Sequence, residues 1–196
     1  MNHNIHVEGL AYSLRPVKPS DAEFIFDIRS SSPERQRYLH AIGASVDSQS
    51  EWIDSYLARE NDYYWVIERK ATGCNEGLIG IYDVDQERGT AEWGRWILRP
   101  SSLGAVESAL LIYRAAFQYI KLKSLYCITV ADNKPVVSFH DSCGLLRIET
   151  IKNRFTLADG VFDGIKHQCD LSDYPALVAF LEPRVGMINQ RLSKSK

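Results

Sequence analysis

Three kinds of residue in this chain could do chemistry together: a histidine in a short helix, carboxylates on central strands, and a loop that opens a long helix. Val136, Phe139, His140 and Cys143 recur at i, i+3, i+4 and i+7, which turns His140 toward the interior. An imidazole titrates near neutral pH, so His140 could give or take a proton; the alternative is a hydrogen-bonded core histidine. Glu92 sits in the aromatic run Ala91-Glu92-Trp93-Gly94-Arg95-Trp96-Ile97-Leu98. It could take up a proton, with Asp83 as a second candidate, or be paired across a hairpin. Leu103-Gly104-Ala105-Val106 runs into the long helix, whose first amides and dipole favour a phosphate. Ser101 and Ser102 could add hydroxyls there and Arg99 a charge, unless the serines only cap the helix. Arg35, Arg37, Tyr38 and His40 in one segment, and Asn153, Arg154 and Phe155 in another, set cations beside aromatics. That mixture suits a phosphate plus a stacked ring, or else forms a solvated polar face.

The elements that must position these groups follow from periodicity and punctuation. Residues 12–17 read as a first strand, and Ser20-Asp21-Ala22-Glu23 and Ser48-Gln49-Ser50-Glu51 read as capping boxes opening two helices. Tyr63–Arg69 is aromatic and β-branched, and residues 78–84 and Thr90–Leu98 form a hairpin around residues 85–89. Beyond Pro100 the period changes from 2 to 3.6. Val106, Ala109, Leu110, Tyr113, Phe117 and Ile120 share one helical face, and Glu107, Arg114, Gln118 and Lys121 the polar one. Residues 125–131 are apolar enough for a strand buried on both faces, so this strand-helix-strand unit predicts a parallel pair with a right-handed crossover. Asp132-Asn133 then leads into the short helix that carries His140 and ends at Cys143-Gly144, with Asn133 placed to cap it. Residues 147–157 and 161–171 flank the turn Ala158-Asp159-Gly160, and residues 173–192 read as a helix interrupted at Pro183. The fold class is a mixed α/β sheet, with residues 1–172 one domain and 173–196 a helical tail packed on it.

Composition narrows the partners. At 196 residues the chain suits one domain, and a net charge of −2 gives no general attraction to nucleic acid or an anionic membrane. No stretch approaches the roughly 18 apolar residues of a membrane span, nor is there a secretory leader pattern. Cys74, Cys127, Cys143 and Cys169 are scattered without a C-x-x-C pair, so free thiols are expected, not disulfides or a metal site. A cytoplasmic protein is the expectation.

Thr90 to Leu145, with the elements on either side, resembles the GNAT acyltransferases, and the likeness extends over about residues 12–171. It rests on residues 91–100, on Glu107-Ser108-Ala109-Leu110-Leu111, and above all on Ala131-Asp132-Asn133 followed by Phe139-His140-Asp141-Ser142-Cys143-Gly144-Leu145. The resemblance implies a mostly antiparallel, seven-stranded sheet with a splayed central parallel pair and flanking helices. It implies acetyl-CoA as acyl donor, with no metal. The donor would be held by backbone at Leu98 and Arg99, by Leu103, Gly104, Ala105 and Val106, and by Asn133. His140 stands where the family has a tyrosine acid, Glu92 is the candidate base, and Arg35, Arg37, Tyr38 and Arg154 would meet the acceptor. The loop after Arg99 departs from the family pattern, being about one residue short with a single glycine. That loop, residues 95–100 and residues 117–125 are similar to amino-sugar nucleotide N-acetyltransferases of the pseudaminic acid pathway. The implied reaction is acetyl transfer to a primary amine of a small molecule, a nucleotide-linked amino sugar being favoured. Two alternatives stay open: acetylation of protein N-termini, as in the ribosomal-protein acetyltransferases of this fold, and a non-catalytic acyl-CoA-binding domain. A homodimer is left open too.

Overall fold

A single sheet carries apolar side chains on both faces, and a helical layer covers each. The computed structural model describes residues 3–31, 38 and 45–194. Its strands are β1 (Val7–Glu8), β2 (Tyr12–Pro16), β3 (Tyr63–Arg69), β4 (Cys74–Asp85), β5 (Thr90–Leu98), β6 (Ser124–Val130), β7 (Leu146–Leu157) and β8 (Gly160–Asp170). They lie in the order β1-β2-β3-β4-β5-β6-β8-β7, an eight-stranded sheet in which only β5 and β6 are parallel. The strand beyond the seven expected is the two-residue β1, which pairs Val7 with Leu14.

On one face, Tyr64, Val66, Leu78 and Ile97 pack under α1 (Ala22–Ser30) and α2 (Val46–Leu57). On the other, Trp65, Ile79, Trp93 and Leu125 pack under α3 (Ala105–Arg114) and α5 (Tyr174–Lys194). The short helix α4 (Lys134–Ser142) carries His140 and is the next element after β6. The helix α3 continues through residues 115–120 as a π-helical segment and stops at Lys121, which takes the left-handed conformation at φ 66°.

Local signals placed the helices and missed several starts. The second helix opens at Val46 because Ser45 and Ser48 form the capping box, with Ser48 N–H on Ser45 Oγ at 3.2 Å. At the first, Asp21 displaces Ser20 as the organising residue. Its carboxylate accepts the Lys18 N–H at 2.8 Å and holds the Arg15 guanidinium through two bonds of 2.8 Å. The expected break at Pro183 does not occur, and α5 runs through it. Leu177 and Leu181 on one side of the proline and Val185 on the other are buried in the same core, so packing holds both halves in line. Glu107, expected on a polar face, is buried and accepts the Leu10 and Ala11 amides of the β1–β2 turn.

Candidate functional site

The parallel ladder between β5 and β6 is short. It joins Thr90 to Ser124, Ala91 to Leu125 and Glu92 to Tyr126, and there it ends. From Trp93 onward β5 pairs only with β4, while Cys127 to Val130 pair only with β8. The two strands therefore part at Glu92 and leave a wedge whose walls are strand edges, the backbone groups an extended amide chain can bind.

One side of the wedge carries the carboxylate. Glu92 is 8% exposed, and Tyr82 donates its hydroxyl to Glu92 Oε1 at 3.1 Å. Burial raises the Glu92 pKa, while the Tyr82 hydrogen bond and the charges of Arg154 and Lys166 pull it back. Tyr82 is itself fixed by Arg95, whose guanidinium lies 4.5 Å from the ring centroid and pairs with Asp62. Lys166 sits 4.1 Å from the centroid of the Tyr126 ring. Glu92 thus looks onto a rim of two cations and aromatic rings. Asp83 lies exposed at that rim in a β4 irregularity, with φ 52°.

The other side is aromatic. Arg95 adopts φ 50°, and the resulting β-bulge returns Trp96 to the face already occupied by Trp93. Trp93 donates its indole N–H to the Tyr113 hydroxyl and Trp96 to Ser108 Oγ, both at 3.1 Å, which ties the pair to α3. His140 meets them from α4, 5.4 Å from Trp93 and 6.2 Å from Trp96 between ring centroids. It is 2% exposed, and burial, helped by His167, pushes its pKa down to about 3. The ordinary titration expected of His140 is therefore lost, and the ring is neutral at working pH. A neutral imidazole still offers one N–H and one lone pair.

The loop before α3 is more self-occupied than its sequence suggests. The first bond of α3 runs from Ser108 N–H to Gly104 O, so the amides of Ala105, Val106 and Glu107 precede the helical ladder. The Gly104 amide is taken by Ser102 Oγ at 3.1 Å, and the Leu103 amide faces the Tyr12 hydroxyl. A Cβ at Gly104 would lie 3.1 Å from the Tyr12 ring, so close packing on β2 favours glycine there. Arg99 turns away. Its amide bonds Glu76 O at 2.8 Å, and its guanidinium reaches Asn75 O and Asp27. Asn133 opens α4 just beyond the end of β6, yet its side chain makes no capping bond.

Of the expected acceptor residues, Arg154 lies on β7 close enough to act on Glu92 electrostatically. Tyr38 is half-buried, and Arg35, Arg37 and His40 lie outside the described residues. Sequence reasoning missed Tyr82, Tyr126, Lys166 and His167. Only the aromatic content of β4 to β6 hinted at the first two. A cavity of about 300 Å³ behind α4, lined by Cys143, Leu145, Cys169, Leu177 and Phe180, holds none of the expected site residues. Among the described residues no group of three metal-ligating side chains occurs, and no helix is long and apolar enough to cross a membrane.

The fold has many counterparts among solved structures. Residues 12–146 match the Acetyltransferase (GNAT) domain family. No curated protein matches the chain in sequence. Among solved structures, a nucleotide-linked sugar GNAT, FdhC in its apo form, is 28% identical with a TM-score of 0.75, covering 91% of this chain and 99% of its own. A GNAT from Brucella melitensis reaches a TM-score of 0.80 at 18% identity, over 93% of this chain and 86% of that one. A mutant spermidine N-acetyltransferase, SpeG from Vibrio cholerae, gives 0.74 at 17% identity, over 85% and 97%. With its strand order, its splayed β5–β6 pair and a family match over residues 12–146, the chain belongs to the GNAT acetyltransferases.

Proposed function

We propose that this chain transfers an acetyl group from acetyl-CoA directly to a primary amine of a small molecule, and that the acceptor is a nucleotide-linked amino sugar. The observation that carries this reading is the wedge that opens at Glu92 and Tyr126, with a buried carboxylate on one side and a buried imidazole on the other. When bound, acetyl-CoA supplies an activated thioester. The backbone at Leu98, the α3 first turn from Leu103 to Val106, and Asn133 would hold it. Arg99, although expected there, is not part of that cradle, because its amide is spent on Glu76 O and its guanidinium on Asn75 O and Asp27.

Attack needs a neutral amine, and Glu92 is suited to take the ammonium proton, since a carboxylate whose pKa is raised is a stronger base. Tyr82 keeps one oxygen of that carboxylate fixed. Across the wedge, His140 is placed to hydrogen-bond the sulfur as it leaves. Trp93, Trp96 and Phe139 keep that side dry, which strengthens the polar contacts made there.

Arg154, Lys166 and the Tyr126 ring favour an anionic, ring-bearing acceptor over a polycation, which would meet like charge at the rim. FdhC, described as a nucleotide-linked sugar GNAT, points the same way at 28% identity. A panel of amino sugars, nucleotide-linked amino sugars, polyamines and basic peptides, read as free CoA released from acetyl-CoA, tests the proposal. Release only with polyamines or peptides would remove the sugar acceptor. Thermal stabilisation by acetyl-CoA without release on any amine would favour a donor-binding domain without catalysis.

A further inference from the structure

The β5 bulge that returns Trp96 to one face of the sheet also delivers Arg95 to the other, the face that carries Glu92. In a regular strand Arg95 would follow Trp93 and point away from Glu92. Instead its side chain lies across β4, with Cδ 3.5 Å from where a Cβ on Gly80 would stand, and Gly80 pairs with Gly94. An arginine at φ 50° is uncommon, so its partners must hold it there. Asp62, 8% exposed, accepts from both terminal nitrogens of the guanidinium, with Nη2 donating to Oδ2 at 2.9 Å. The rings of Tyr82, Tyr64 and Trp52 surround the cation at 4.5, 5.5 and 5.9 Å from their centroids. Tyr82 is the nearest of the three, and its hydroxyl ends on Glu92 Oε1 at 3.1 Å. Glycine at 94 makes room for that reach, since a Cβ there would stand 2.5 Å from the Tyr82 hydroxyl oxygen. Burial and the Glu92 charge raise the Tyr82 pKa, so the phenol stays protonated and is the donor in this bond. A cation over its ring draws charge from the O–H and makes it a stronger donor.

We propose that Arg95 and Tyr82 are positioning residues for the base: Arg95, pinned by Asp62, fixes the Tyr82 phenol, which commits Oε1 of Glu92 and leaves Oε2 as the oxygen that takes the amine proton. This rests on the reading that Glu92 is the base. Among the described residues Tyr82 alone hydrogen-bonds the Glu92 side chain, and it does so at Oε1. In the step, an N–H bond of the ammonium breaks and its electron pair stays on nitrogen. The proton forms an O–H bond at Oε2, so one positive and one negative charge disappear together. Oε1 keeps its bond from Tyr82 throughout, and the carboxyl group does not turn as it is protonated. The other groups that act on Glu92 are Asp83 from β4, Tyr126 and Cys127 from β6, Arg154 from β7 and Lys166 from β8. Those charges bear on how readily Glu92 ionises, whereas Tyr82 also decides which of its oxygens is open.

The test is a double-mutant cycle of Tyr82→Phe and Arg95→Gln, read as kcat against pH with the amine that gives the fastest CoA release in the panel above. Tyr82→Phe removes only the hydroxyl. It should lower kcat about tenfold and move the acid limb of the profile up by about half a pH unit, because Glu92 loses the donor that stabilises its charge. Arg95→Gln should act in the same direction, and Arg95→Lys, which keeps a cation near the ring, should recover part of the loss. KM for acetyl-CoA should stay within about twofold, and the double variant should be no slower than Tyr82→Phe alone. An arginine that only packs the strand would give effects that multiply, and that result overturns the proposal. Full kcat or an unmoved acid limb in Tyr82→Phe overturns it as well. If Glu92→Gln loses turnover while Tyr82→Phe keeps it, only this proposal falls. If Glu92→Gln is fully active, the reading of Glu92 as the base falls with it. Tyr82→Phe keeps the ring on which Arg95 rests, so it decides the matter should Arg95→Gln not fold.

Discussion

Glu92 and His140 are both buried, and burial moves them in opposite directions, each toward its neutral form. For Glu92 this makes a stronger base; for His140 it removes the imidazolium acid that its residue type alone suggests. Substituting Glu92→Gln keeps the acceptor oxygen for Tyr82 and removes a desolvated charge. Turnover should drop by about a hundredfold or more while the melting temperature holds or rises. Steady-state CoA release and a thermal melt on the same preparation check both halves, and unchanged kcat would exclude Glu92 as the base. His140 was recognisable as an inward residue from its spacing, but its charge state was not, because the groups that decide it come from β5 and β8.

At the scale of elements, the clearest departure is Glu107. Periodicity assigns it to a solvent face with Arg114, Gln118 and Lys121, and locally that is sound. Yet the β1–β2 turn brings the Leu10 and Ala11 amides onto its carboxylate from nearly a hundred residues away. Gly9 belongs to the same device, since a Cβ there would stand 2.2 Å from Glu107 Oε1. Removing the carboxylate in Glu107→Ala leaves those amides without their partner and should cost about 2 kcal/mol, whereas Glu107→Gln, which can still accept, should cost less. Urea denaturation distinguishes the two, and equal midpoints would show that the carboxylate contributes nothing to the turn. The β5 bulge shows the same limit. Trp93 and Trp96 are three apart and read as opposite faces of a regular strand, until φ 50° at Arg95 brings them together.

For the whole molecule, the depressed histidines make a prediction about acid. His140 is lowered to about 3 and His3 to about 4 from an ordinary 6.5. Between those values and 6.5 each of these two side chains binds more protons in the unfolded chain than in the folded one, so the stability they contribute is lost as pH falls through this window, offset in part by Glu92, whose raised pKa acts in the opposite sense. The urea midpoint should fall between pH 7.5 and pH 5, and the fall should be smaller in His140→Gln. An equal fall in that variant would mean His140 is not buried neutral in solution. Acid sensitivity of this origin is global, because α4 cannot reach solvent with His140 unless it leaves the sheet. Likewise α5 survives its internal Pro183 only because residues on both sides of it lie in one core.

What the sequence by itself determined was the kind and order of elements, the parallel crossover between β5 and β6, and the family. Those depend on signals that span a few residues: a change of period, a turn, a motif. It also located Glu92, His140 and Asn133 on the right elements. The tertiary structure alone decided where the parallel ladder stops and which amides of the Ser101–Val106 loop are already used. It alone brought Tyr82, Lys166 and Trp96 to the wedge, and His167 behind His140. The reason is physical. Register, bulges and burial are set by partners far away in the chain, and a charge state follows from burial, so neither can be read from the neighbours of a residue in sequence.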